Sequence, residues 1–88
     1  MVYLISYDLR APGRDYSQLI SEIESFSSWA KPLESLWLIE TTLDTQTIVS
    51  RLNALDLTDG LLVIHVNTPW RSVGLDQRVV DWMNRAIS

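Results

Sequence analysis

The sequence predicts an α+β fold in which strands and helices alternate around one sheet, on three observations. Residues 2–7 and 61–66 are apolar or aromatic at nearly every position, the pattern of strands covered on both faces. Three other stretches repeat their apolar residues at helical spacing. Between the first two of these lies an extended stretch, residues 33–41, whose polar middle at Glu34 and Ser35 allows one bent strand or two short ones.

Residues 2–7 (Val-Tyr-Leu-Ile-Ser-Tyr) are rich in strand formers and are expected at the centre of the sheet. Pro12-Gly13 marks the loop that follows. From Asp15 the apolar positions Tyr16, Leu19, Ile20, Ile23 and Phe26 trace one helix face, Asp15 and Gln18 resemble a capping box, and the helix is expected to end near Ser27-Ser28. Lys31-Pro32 interrupts before residues 33–41. Residues 42–47 offer several helix caps, and Ile48, Val49, Leu52 and Leu55 continue as a second amphipathic helix. Residues 56–60 read as a turn into 61–66, a second central strand next to the first. After Asn67-Thr68-Pro69 and an irregular piece, Leu75, Val79, Trp82, Met83 and Ala86 predict a C-terminal helix over about 75–87. With residues 33–41 split in two, the order is that of a ferredoxin-like βαββαβ sandwich with an added C-terminal helix. Unsplit, they give a three-stranded parallel α/β unit.

The 88 residues are expected to form a single domain, since two independent cores would be too small to stand alone. A hydrophobic share of 47% with three Gly and three Pro excludes disordered and fibrous classes. Without cysteine there is no disulfide framework, thiolate nucleophile or cysteine metal site. No apolar run approaches the roughly 20 residues of a membrane span, and the N-terminus lacks the layout of an export signal. A cytoplasmic protein without a membrane segment is therefore expected. The net charge of −4 weakens the case for a nucleic-acid partner, because affinity for phosphate backbones is carried by basic surface.

Asp8 is the most informative single residue. It follows a strand predicted to be buried, where a carboxylate is rigidly placed and open to solvent, as a Mg²⁺ ligand must be. A loop-capping aspartate fits the same position. Arg10 and Arg14 in the adjoining loop offer guanidinium groups for a phosphate, though no glycine-rich cradle accompanies them. His65, the lone histidine, sits inside an apolar strand with Ser6 and Ser35 as conceivable partners; it reads as structural, since no triad elbow surrounds it. Glu34, Glu40 and Asp44 do not make a second carboxylate set, and Arg78, Asp81 and Arg85 read as surface pairs on the last helix. Of four tryptophans, Trp37 and Trp82 fall on buried patterns. Trp29 and Trp70 lie in irregular places and are candidate interface residues.

The start Val-Tyr-Leu-Ile-Ser-Tyr-Asp-Leu at residues 2–9, the loop with Arg14, the first helix, the Leu-Glu-Ser-Leu-Trp-Leu segment at 33–38 and the late apolar strand resemble the small CRISPR-associated Cas-two proteins. They resemble more closely the SinR-like group, with VapD-type ribonucleases as distant relatives. The resemblance covers roughly residues 1–66. It implies a ferredoxin-like homodimer in which Asp8 faces its symmetry mate, the pair holding Mg²⁺ for cleavage of RNA or DNA. Arg10 and Arg14 would then neutralise phosphate charge. In CRISPR adaptation the family dimer instead holds DNA without cutting it. Here Trp37 stands where phenylalanine is usual and Leu38 replaces an acidic residue, while a terminal helix takes the place of the strand that crosses to the partner subunit. Two further alternatives stay open: a non-catalytic dimeric module binding another protein in a mobile-element, toxin or defence system, and a small-ligand sensor.

Overall fold

Strand-forming residues at 2–8 make β1 (Val2–Asp8), and their alternation divides two cores. Tyr3, Ile5 and Tyr7 are buried on one face, while Val2 on the other belongs to a separate cluster with Leu4 packed against it. The structure, a computed structural model, describes residues 1–8, 16–53 and 60–87. The elements after β1 are α1 (Ser17–Glu24), β2 (Ser28–Leu33), β3 (Leu36–Glu40), α2 (Thr45–Asn53), β4 (Gly60–Val66) and α3 (Gln77–Ala86).

The strands form one sheet in the order β2-β3-β1-β4, with every neighbouring pair antiparallel. The protein is thus α+β, with a four-stranded antiparallel sheet and three helices, an arrangement compatible with a small ferredoxin-like fold. The parallel three-stranded alternative is excluded, because residues 33–41 break at Glu34-Ser35 into a two-residue hairpin turn. Ser35 takes the left-handed conformation there (φ 58°), and its carbonyl accepts a hydrogen bond from the Tyr7 N–H at 3.3 Å.

Leu19, Ile23 and Phe26 in and after α1, and Ile48 and Leu52 of α2, pack with Tyr3, Ile5, Tyr7, Trp37 and Ile39 to form the larger core. Arg51 of α2 ties the two helices together: its Nε and Nη2 donate to Glu22 Oε1 at 2.9 and 2.7 Å, and its guanidinium lies 4.4 Å from the Phe26 ring centre. Helix α3 covers part of the opposite face. Met83 and Ile87 pack on Val2 and Leu38, Trp82 Nε1 donates to Ser28 Oγ at 3.0 Å, and Arg85 reaches Glu40 at 3.6 Å. Asp76 starts this helix, its carboxylate accepting the Arg78 N–H at 2.8 Å.

Several expectations change. Residues 28–32 are a strand, so Trp29 and Lys31-Pro32 lie within β2; an edge strand has a row of N–H groups that bond nothing in the sheet, and it tolerates proline. β4 neighbours β1 as expected but is the other edge, with Leu62 and Ile64 exposed on the α3 side. Arg78 pairs with Asp76 and Arg85 with Glu40, while Asp81 accepts from Gln77. The capping residue expected at Asp15 lies outside the described residues, and α1 has Tyr16 at its N-cap. Among the described residues no helix is long and apolar enough to cross a membrane.

Candidate functional site

Asp8 ends β1 directly across from Gly60 of β4, and it is exposed. Its place in the alternation puts it on the same sheet face as Val2 and Leu4, which is also the face α3 packs against. A shallow concavity of about 240 Å³ beside it is formed by Ser6, Tyr7, Asp8, Gly60, Leu61 and Leu62. Among the described residues no group of three or more His, Asp or Glu side chains is placed to hold a metal ion. Asp8 is the one carboxylate among the described residues that line this concavity. Mg²⁺ is often bound through one or two carboxylates and its own waters, so a second copy or the substrate would complete such a site. Arg10 and Arg14 lie outside the described residues.

A larger feature occupies the same face. After β4 the chain turns back over the sheet, through a cis Thr68-Pro69 peptide bond, and then enters α3. Trp70, Val73 and Leu75 of this crossing segment share one concavity with Leu4, Leu36 and Leu38 of the sheet. They line a groove of about 580 Å³ together with Met83 of α3 and Pro32 and Leu33 of the edge strand. The size falls within the range of ligand and peptide sites. Arg71 alone among the lining residues carries a charge. Its Nη1 donates to the carbonyl of Trp70 at 3.1 Å, which holds the guanidinium against the segment.

The rim is unusually apolar for an exposed surface. Val73 is 94% exposed and Leu33 57%. Isolated exposed apolar residues are ordinary, but these border a groove whose floor is leucine. α3 packs on Val2 and Leu38, and the Ser6, Leu36 and Leu62 row is not part of that cluster.

The two candidate interface tryptophans are separated. Trp70 is half-buried in the groove wall. Trp29 packs on Trp37, ring centres 5.2 Å apart, and its outer edge lines a different concavity with Lys31, Asp76 and Trp82. His65 is exposed and packs on Tyr3, with Asn67 3.5 Å from its Nδ1. Ser6 and Ser35 do not join it: among the described residues the structure places no hydroxyl against the imidazole. The groove went unseen in the sequence because its two walls, residues 32–38 and 66–75, are joined only by the fold. The signal available was the leucines of the first segment and Trp70, Val73 and Leu75 of the second.

No protein-family model matches the chain, and comparison with curated proteins and with solved structures likewise finds no match.

Proposed function

We propose that the chain is a cytoplasmic, ferredoxin-like dimeric module that binds an apolar segment of another protein, the segment lying in the groove between Trp70–Leu75 and the sheet with a carboxylate beside Arg71. The ferredoxin-like assignment is supported by the strand order: β3 lies between β1 and β2, β1 lies between β3 and β4, and a helix joins each outer pair, so two split βαβ units interlock and α3 is an addition. The observation that carries the functional reading is the groove itself, apolar throughout apart from Arg71 and Ser72. Such a surface gains by excluding water from Leu33, Leu36 and Val73, and the lone cation selects an occupant with one negative group. The net charge of −4 suits a protein partner better than a phosphate backbone. A mobile-element, toxin or defence setting accords with the resemblance to Cas-two and SinR-like proteins.

The test is the binding of a fluorescent peptide with three leucines beside one glutamate, compared with its glutamine counterpart. The reading expects saturable binding, weakened at least fivefold by glutamine in the peptide or by Arg71→Ala, and lost in Val73→Asp. Equal binding by Val73→Asp and the native chain would sink it.

A second reading is favoured by Asp8, a solvent-open carboxylate at the end of a rigid central strand beside a concavity. In it, two copies of Asp8 would hold a Mg²⁺ ion, which would supply Lewis-acid chemistry for cleavage of RNA or DNA, and Arg10 or Arg14 would offset phosphate charge. It needs the Asp8 ends of β1 in two copies to approach each other. Labelled RNA and duplex DNA incubated with Mg²⁺ or Mn²⁺, against chelator, decide the point. This reading expects metal-dependent cutting that Asp8→Ala abolishes; no cutting by either protein rejects it.

A further inference from the structure

The two edges of the sheet differ in how they are guarded. β2 carries Lys31 and Pro32, and its register with β3 shifts between Ala30 and Leu33. A charge, a proline and an irregularity are the devices by which proteins keep an edge strand from pairing with another chain. β4 has none of them. Its sequence Gly-Leu-Leu-Val-Ile-His-Val contains no proline and no Lys, Arg, Asp or Glu. Its register with β1 runs unbroken over seven pairs, from Val2–Val66 to Asp8–Gly60. Among the described residues no strand lies beyond it. The outer row of N–H and C=O groups along β4 is thus regular and presented by an apolar strand, with Ile64 47% and Leu62 52% exposed.

We infer that β4 is the self-association edge of this protein: it pairs antiparallel with β4 of a second copy across a two-fold axis, making one continuous sheet of eight strands. The inference rests on the dimeric part of the proposed function and assigns it a surface that shares only Val66 with the groove. The register follows from geometry. A two-fold perpendicular to the sheet keeps the α3 faces of both copies on one side, so only residues of like parity oppose each other. Within β4 the pairing centred on Val63 is the one that uses all seven residues. It sets Leu62 against the partner's Ile64 on the α3 face, and Leu61 against the partner's His65 on the other. Cross-strand apolar pairs of this kind are what stabilise a sheet. The arrangement holds the two Asp8 residues roughly 25 Å apart, from strand spacings of about 4.8 Å and about 3.4 Å per residue. They are then too distant to share one ion, so the edge dimer and the shared-Mg²⁺ reading exclude each other.

The experiment is sedimentation equilibrium of the full chain at micromolar concentration, with Ile64→Lys and Leu33→Lys compared. The native chain is expected at twice its 10.1 kDa mass. Ile64→Lys is expected to weaken the dimer at least tenfold, since a lysine on the edge is itself a guard, and Leu33→Lys to leave it unchanged. Because the chain has no cysteine, a second measurement is independent of charge. Mild oxidation of a Leu62→Cys, Ile64→Cys double variant should give a covalent dimer, and Leu33→Cys alone should not. A monomeric native chain, a dimer that Leu33→Lys breaks and Ile64→Lys spares, or equal cross-linking at both places overturns the inference. Loss of groove binding with the dimer intact would instead fault the groove and leave the edge standing.

Discussion

The Trp37 indole N–H donates a hydrogen bond to the Tyr7 hydroxyl at 3.0 Å inside the larger core, joining a β3 side chain to a β1 side chain. Both rings bring large apolar area to the core under α1 and α2, and the bond removes the cost of burying their polar ends. Tyr7→Phe keeps the packing and strands the indole N–H. The expected loss is about 1–3 kcal/mol, read as a fall in thermal midpoint of roughly 4–8 °C per kcal/mol for a chain of this size. An unchanged midpoint would mean that the hydrogen bond carries no net stability.

Helix α3 is fixed to the second face chiefly by Met83, 8% exposed against Val2 and Leu38. Met83→Ala is expected to cost about 2–5 kcal/mol, and to speed amide exchange in α3 more than in β1 or β3, which are held by the other core as well. Uniform acceleration across all elements would contradict the division into two cores.

That division also explains what the sequence disclosed and what it hid. Residues 2–7 read directly as a central strand because both of their faces are covered, and α3 read directly from Leu75, Val79, Trp82 and Met83. β4 carries the same kind of apolar run yet is an edge, since periodicity reports side-chain character and not how many strands flank it. β2 was obscured by Lys31-Pro32, residues that suit an edge as well as a loop. Asp8 was legible as an exposed carboxylate at a strand end, whereas the groove depends on contacts between residues some thirty or more positions apart.

The β2–β3 turn provides a local test. Ser35 is a non-glycine residue at φ 58°, where an L side chain costs roughly 1–2 kcal/mol, partly offset in the variant by the greater chain entropy of glycine. Ser35→Gly is expected to leave the midpoint unchanged or raise it, and Ser35→Val to lower it, in a thermal melt. A lower midpoint for glycine than for valine would refute the assigned turn.

Asp44 begins α2, accepting the Thr47 N–H at 2.8 Å. The Thr47 hydroxyl, and then this N–H, hold its carboxyl below the ordinary value of 3.8. The ionised form is therefore favoured by folding. Its contribution to stability is fully present above the unfolded carboxylate range and disappears as pH falls through the lowered folded value. Asp44→Asn is expected to flatten the acid limb of the stability profile while leaving its shape near neutrality unchanged. An acid limb of equal slope in both proteins would show that Asp44 is not a contributor.

The central claim is that two separate surfaces, the groove and the β4 edge, divide partner binding from self-association. Peptide affinity measured side by side in Ile64→Lys and Val73→Asp tests it most directly. Near-native affinity is expected for Ile64→Lys, its dimer weakened at least tenfold, and loss of binding for Val73→Asp, still dimeric. Loss of both properties in either variant would contradict it.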